Sequence, residues 1–195
     1  HKNYQLILNK VVTLTQLIEL DGHKMGKLNY ASLSDGNKNL TKNIINSFLK
    51  IKNNPMLAII DKTYQKYNLK LSANNSPKEK IEIQKFINMK KEEYYENFYR
   101  DMGNVIIKDI KKDNREMGIH NSRLPNEQTA LKTKRMFFSK NGLAQKLSRM
   151  MNNVGEPPDY SNIGREWEQK MQEERERKNN IDRSIDRDGG YGYGF

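Results

Sequence analysis

The residue types that most often carry out catalysis are few and scattered in this sequence. The three histidines are His1, His23 and His120, and the chain has no cysteine. Glu92 and Glu96 would share one helical face, but in so charged a segment they are better explained as ion-pair partners of Lys or Arg one turn away. The sequence has no His-Glu-x-x-His pair, no phosphate-binding loop and no Gly-x-Ser-x-Gly elbow. We therefore expect a protein that is not an enzyme and has no metal or cofactor.

A basic stretch near the C-terminal third is the feature most typical of a binding surface. No acid occurs from Gln128 to Gly155. The basic residues predicted to contact phosphates are Lys132, Lys134, Arg135, Lys140, Lys146 and Arg149. Met136, Phe137 and Phe138 lie among them, and an aromatic ring beside phosphate-binding cations can stack on a base. The alternative is that Phe137 and the Leu143/Leu147 pair belong to the core, while the basic side chains face water.

The C-terminal end carries apolar and aromatic residues that have no evident core of their own. The residues predicted to bind a neighbouring protein are Trp167, Met171, Tyr191, Tyr193 and Phe195. Trp167 and Met171 lie one turn apart on a helix that is otherwise polar, so this helix is either solvated or held by that pair. Tethering would give such a segment a high effective concentration once the rest of the chain has docked.

The net charge of +11 is unevenly distributed. Residues 1–155 carry +14, whereas residues 156–195 carry −3. A surface of that sign attracts nucleic acid, acidic lipid headgroups or an acidic protein face, although lysines also serve to keep a protein soluble. Only 35% of the residues are hydrophobic, and the mean hydropathy is −0.97. The core is therefore expected to be thin or completed by a partner.

Hydrophobic periodicity predicts an all-α protein. We expect an irregular bundle of about five helices with a long central helix from 77 to about 113, followed by a solvated helix over about 163–179 and an extended tail. The expected division is a basic helical body over 1–155, and a Pro-Pro hinge, charged helix and Gly/Tyr-rich tail over 156–195. Residues 11–15 are rich in β-branched side chains, so a strand is the alternative to a first helix in this stretch.

Three local patterns predict where helices begin. Ser34 or Asp35 is suited to cap the second helix. Asn54 followed by Pro55 is typical of the start of a third. Ser76-Pro77-Lys78-Glu79 has the residues of a capping box and predicts the start of the long helix.

The sequence resembles two groups of proteins. The stretch from Tyr94 to Ile110, followed by Leu124-Pro125, resembles a bacterial exported family of ferritin-like helical domains, but the family's characteristic histidines are missing here. The basic body with its Pro-Pro hinge and charged terminal helix is similar in style to accessory subunits of mitochondrial assemblies. These resemblances imply a mitochondrial matrix location first, with a virion or bacterial export as alternatives.

Together these features favour a non-catalytic structural subunit of a large macromolecular assembly. The basic body would dock on structured RNA, as in a ribosome-like particle, while the terminal helix and tail bind other protein subunits. One alternative is a protein-bound accessory or scaffold subunit of a membrane complex or virion. Another is an exported helical domain with an unknown ligand. No small-molecule substrate is expected. No transmembrane segment is expected either, since no apolar run approaches the roughly 18 residues needed to cross a bilayer.

Overall fold

The computed structural model describes residues 4–20, 27–116, 135, 137, 139, 142–153 and 157–190. Its helices are α1 (Gln5–Leu20), α2 (Asp35–Ile51), α3 (Met56–Ser72), α4 (Pro77–Glu116), α5 (Leu143–Asn153) and α6 (Tyr160–Gly190), with a short 3-10 helix at Tyr30–Ser32. No strand occurs in these ranges. The all-α fold with a long central helix and a C-terminal helix is confirmed, and the strand alternative for residues 11–15 is wrong because they lie inside α1.

The chain divides into two compact units. Unit 1 comprises residues 1–59 and 92–155, and unit 2 comprises residues 60–91 and 156–195. The division falls within α3 and within α4, so each of these helices contributes residues to both units.

Unit 1 has a substantial apolar core. Its fully or almost fully buried side chains include Ile7, Val11, Leu14 and Ile18 from α1, Ile44, Ile45 and Phe48 from α2, Phe98, Met102, Ile106 and Ile110 from α4, and Leu143 and Leu147 from α5. The α1 residues are spaced three and four apart, as the sequence predicts for one face of a helix. Burial of this size supplies the main stabilisation of the unit, at about 25 cal/mol per Å² of apolar surface removed from water.

The turn between α2 and α3 lies within unit 1 and depends on two asparagines. Asn53 adopts a left-handed conformation with φ of 49°, and the Asn54 N–H donates to the Leu49 carbonyl at 3.0 Å, which closes the end of α2. The Asn54 side chain then accepts from the Met56 N–H at 3.0 Å. The predicted capping role of Asn54 is thus confirmed, with α3 beginning one residue after Pro55.

Unit 2 contains the helical hairpin of α3 and α4. Asn74 takes a left-handed conformation with φ of 66°, and Asn75 Nδ2 donates to the Leu71 carbonyl at 2.7 Å. Ser76 Oγ accepts from the Glu79 N–H at 3.3 Å, so Ser76 caps α4 as predicted. The core of this unit is small, and its buried residues are Ile60, Tyr64, Ile83, Phe86, Ile87, Ile163 and Trp167.

The helix α6 is longer than the sequence indicates. It ends at Gly190 rather than near 179. Its first turns are held in unit 2 by Ile163 and Trp167, whereas every residue from 172 to 187 is exposed. Because these later turns bury no apolar stripe, hydrophobic periodicity could not predict them.

Candidate anion-binding site

A groove in unit 1, which we call the lysine groove, is a candidate binding cavity in the described part of the chain. Its volume is about 530 Å³, and its lining residues are Leu28, Asn29, Asn104, Ile107, Lys108, Lys111 and Lys112. Five of the seven come from α4, and Leu28 and Asn29 lead into the 3-10 helix. Among the described lining residues there are three cations and no acid, an arrangement that favours a negative ligand.

The spacing of the lysines follows from helix geometry. Lys108, Lys111 and Lys112 lie at i, i+3 and i+4, which places their side chains on one face within a single turn. Lys111 Nζ donates to the Leu28 carbonyl at 3.1 Å, and this bond fixes its ammonium group at the edge of the groove. Like charges at this spacing repel one another by a few tenths of a kcal/mol, a cost that an anion in the groove would remove.

The opposite wall is positioned by the 3-10 helix. Asn29 caps it, since Asn29 Oδ1 accepts from the Ser32 N–H at 2.9 Å and Ser32 Oγ accepts from the Asn29 N–H. The Tyr30 N–H donates to Asn104 Oδ1 at 2.9 Å, which ties this short helix to α4. Gly103 allows the approach, because a Cβ there would lie 2.5 Å from Cδ2 of Tyr30.

The predicted phosphate contacts are only partly within the described structure. Arg135 and Arg149 are exposed. Lys146 is partly buried, and its Nζ lies 2.7 Å from Oδ1 of the buried Asp109 in an ion pair. Lys132, Lys134 and Lys140 lie outside the described residues.

Phe137 belongs to the core of unit 1. It is completely buried, and its ring lies 5.7 Å from that of Tyr4 and 6.1 Å from that of Phe48. The idea that Phe137 stacks on a base is therefore wrong, because no face of the ring reaches solvent. Leu143 and Leu147 are also buried, as the core alternative predicts. Met136 and Phe138 lie outside the described residues.

Trp167 and Met171 differ in their surroundings. Trp167 packs on Phe86 of α4 with a ring distance of 5.2 Å, and the Lys170 ammonium lies 5.8 Å from its centroid. An ion pair between Glu166 and Lys90 holds the same turn of α6. Met171 is half-buried and lines a shallow depression together with Trp167 and Arg175. Trp167 is therefore an anchor within unit 2, and Met171 lies at the edge of the solvated part of α6.

The apolar face of α6 continues beyond this anchor. Ile181 and Ile185 follow Ile163 and Trp167 by 18 residues each, which is five full turns, so they lie on the same face about 27 Å further along the helix. Ile181 is 52% exposed and Ile185 is 62% exposed. We call residues 172–187 the distal α6 segment. Tyr191, Tyr193 and Phe195, also predicted to bind a neighbour, lie outside the described residues.

Several of these residues were not singled out from the sequence. The i, i+3, i+4 spacing of Lys108, Lys111 and Lys112 was a usable signal, but it is common on solvated helices. Ile163 could have been found from its helical spacing to Trp167 and Met171. Asn29 and Asn104 are 75 residues apart in the chain, and no local pattern indicates that they line one groove.

Within the described ranges, no three His, Cys, Asp or Glu side chains come together in a way that could hold a metal ion. None of the helices described is both long enough and apolar enough to cross a bilayer. No family model, curated protein or solved structure matches the chain significantly.

Proposed function

We propose that this chain is a non-catalytic structural subunit of a larger assembly, whose basic body docks on structured RNA and whose terminal helix binds a neighbouring protein. The observation that carries the RNA part is the lysine groove, where Lys108, Lys111 and Lys112 share one turn and none of the described lining residues is acidic. RNA presents closely spaced phosphates, and clustered cations bind them with release of counterions. The charge of +14 on residues 1–155 supports the same partner.

The terminal helix supports the assembly part of the proposal. In proteins, most of the stability of a helix comes from tertiary packing of its apolar face. The distal α6 segment is exposed throughout and still carries two isoleucines on one face. A protein neighbour with an apolar groove would bury that face and stabilise the helix.

The first experiment isolates the tagged full chain gently from its own cells and measures the size of its complex with and without ribonuclease. A large particle that ribonuclease dismantles is the expected result. A particle that survives ribonuclease contradicts RNA docking and favours the second candidate below. A monomer in both samples contradicts the whole proposal.

A matched pair of variants tests the role of the groove in RNA docking. Lys108, Lys111 and Lys112 are changed together to Gln, and Lys78, Lys80 and Lys85, which are exposed on the same helix, form the control with an equal loss of charge. If the groove lysines contact phosphates, the salt dependence of RNA affinity should lose about one unit of slope per lysine. The control should lose markedly less. Equal losses in both variants would show that only total charge matters.

The second candidate function is a protein-bound scaffold subunit that does not contact RNA. The exposed Ile181 and Ile185 favour it, since an apolar face calls for a protein surface rather than phosphates. An interface of this kind changes little in affinity between low and moderate salt, whereas phosphate contacts weaken steeply. The salt dependence of the isolated complex therefore distinguishes the two candidates.

A further inference from the structure

Several polar groups that line the lysine groove carry hydrogen-bond donors. Asn104 Oδ1 accepts from the Tyr30 N–H, and Asn29 Oδ1 accepts from the Ser32 N–H, each at 2.9 Å. A backbone N–H can only donate, so both oxygen positions are fixed and each amide retains its NH₂ group for other partners. Lys108, Lys111 and Lys112 are also donors only.

The floor of the groove is apolar. Ile107 is buried, and Leu28 is partly buried beside it. The Leu28 carbonyl already accepts from Lys111 Nζ, so this acceptor is used within the protein. A ligand that fits must therefore be rich in acceptors at one end and carry a small carbon part at the other.

From this lining we infer that the lysine groove binds a single phosphate ester group, with the phosphate oxygens on the lysines and asparagine amides and the attached carbon part over Leu28 and Ile107. A phosphate offers more acceptor oxygens than a carboxylate, which suits a lining that carries three lysines and two asparagine amides. If RNA supplies the phosphate ester, the inference rests on the proposed function. A free organic phosphate is the other source.

The sharpest variant changes the ligand-facing chemistry and keeps the internal hydrogen bonds. The double substitution Asn29→Asp and Asn104→Asp leaves an oxygen to accept from Ser32 N–H and Tyr30 N–H, and Asp is as good a helix cap as Asn. It replaces two donor groups with two negative charges. The matched control is Asn39→Asp with Asn43→Asp, two exposed positions on α2 of the same unit.

The experiment titrates the ¹⁵N-labelled full chain with n-butyl phosphate and, separately, with octauridylate RNA at constant ionic strength. We expect either probe to shift the side-chain amide signals of Asn29 and Asn104. Affinity should fall at least about tenfold in the groove variant, since hydrogen bonds to charged groups are the strong ones. The control should stay within about twofold. Thermal unfolding of both variants verifies that the fold is retained.

The outcomes separate this inference from the proposed function. Binding of octauridylate more tightly than butyl phosphate, with loss in the groove variant, supports both. Binding of butyl phosphate alone supports the groove inference and excludes single-stranded RNA as the source of the ester, while the ribonuclease experiment tests docking on structured RNA. RNA binding that is equal in the groove and control variants overturns the groove inference and leaves RNA docking in place. Amide signals that neither probe shifts also overturn it.

Discussion

Lys146 and Asp109 form an ion pair across α5 and α4, with Nζ 2.7 Å from Oδ1. The Asp109 side chain is 8% exposed and the Lys146 side chain is 36% exposed. A buried carboxylate without a partner is costly, so this lysine stabilises the fold of unit 1. Because its ammonium group contacts Asp109, Lys146 is less available to bind a phosphate than the other five residues predicted to do so.

Replacing Lys146 with Gln should therefore lower stability more than it lowers RNA affinity. We expect the free energy of unfolding to fall by about 1–2 kcal/mol. This lies at the lower end of the range for hydrogen bonds to charged groups, because Lys146 is partly solvated. Arg149→Gln, on the exposed face of the same helix, should change stability by less than about 0.5 kcal/mol. Urea unfolding of the two variants measures the difference. Equal stability in the two would contradict a structural role for the pair.

The basic stretch illustrates what the sequence could and could not predict. The sequence contains no acidic residue from 128 to 155. It does not describe the surface, because Asp109 on α4 reaches Lys146 from 37 residues away. Phe137 is buried for the same reason, since the rings that cover it, Tyr4 and Phe48, come from distant segments. Tertiary packing determined both outcomes, and a single sequence does not contain it.

Gly103→Ala should destabilise unit 1 although alanine is the better helix former. The added Cβ would lie 2.5 Å from Cδ2 of Tyr30 and 3.3 Å from Cγ2 of Thr41. Tyr30 cannot move aside easily, because its N–H is bonded to Asn104. The gain in helix propensity is about 1 kcal/mol, whereas overpacking costs typically 1–3 kcal/mol. We expect a net loss of about 1 kcal/mol in urea unfolding.

The control for this change is Gly36→Ala in α2 of the same unit. A Cβ there meets no atom within 4 Å, so only the propensity term remains. This variant should be as stable as the parent or more stable by up to about 1 kcal/mol. A stabilising effect of Gly103→Ala would mean that Tyr30 does not need the close approach. The sequence shows only a glycine inside a helical pattern, and the close approach of Gly103 to Tyr30 is visible only in the structure.

Stability should decline at alkaline pH because several phenols are buried in unit 1. Burial raises the pKa of Tyr99 above its usual value of 10.0. Burial also raises the pKa of Tyr94. The folded state holds these protons more tightly, so their contribution to stability is complete below pH 10 and is lost as pH rises through the folded-state pKa.

Urea unfolding of the parent and of Tyr99→Phe between pH 9 and about 11.5 measures this contribution. The comparison of the two proteins carries the information, because every other ionisable group is common to both. The variant should lose stability less steeply with pH than the parent. Parallel curves would show that ionisation of Tyr99 is not linked to folding.

Trp167→Ala should weaken unit 2 itself rather than only the contact with a neighbour. The indole is 9% exposed and packs on Phe86, and few other large side chains fill this core. Truncation of a buried aromatic side chain lowers the free energy of unfolding by about 3–5 kcal/mol, and the remaining contacts of this small core cannot compensate for that loss. We expect amide exchange in residues 160–171 to become fast. Met171→Ala, half-buried one turn later, should have less than half that effect.

How far α6 could be predicted follows from what each part of it contacts. Tyr160, Ile163, Trp167 and Met171 repeat at helical spacing, so the start of the helix has a readable pattern. The distal α6 segment alternates acids and bases with only two apolar residues. Helical propensity and (i, i+4) pairs such as Gln172 with Glu176 stabilise this segment locally. Such pairs produce no hydrophobic periodicity, so the end of the helix could not be predicted from the sequence.

Ile181→Asn with Ile185→Asn should weaken the attachment of the chain to its neighbour and leave its own fold unchanged. Both side chains are more than half exposed, so the free energy of unfolding should change by less than about 0.5 kcal/mol. Burial of each isoleucine by a neighbour is worth about 1.5–3 kcal/mol, and the double change should lower affinity by at least about tenfold. The matched control is Leu69→Asn with Ile81→Asn, two exposed apolar residues on α3 and α4 of unit 2. Gentle isolation of the three proteins from cells should recover less of the assembly with the α6 variant alone. Equal recovery from all three would exclude this face of α6 as the contact.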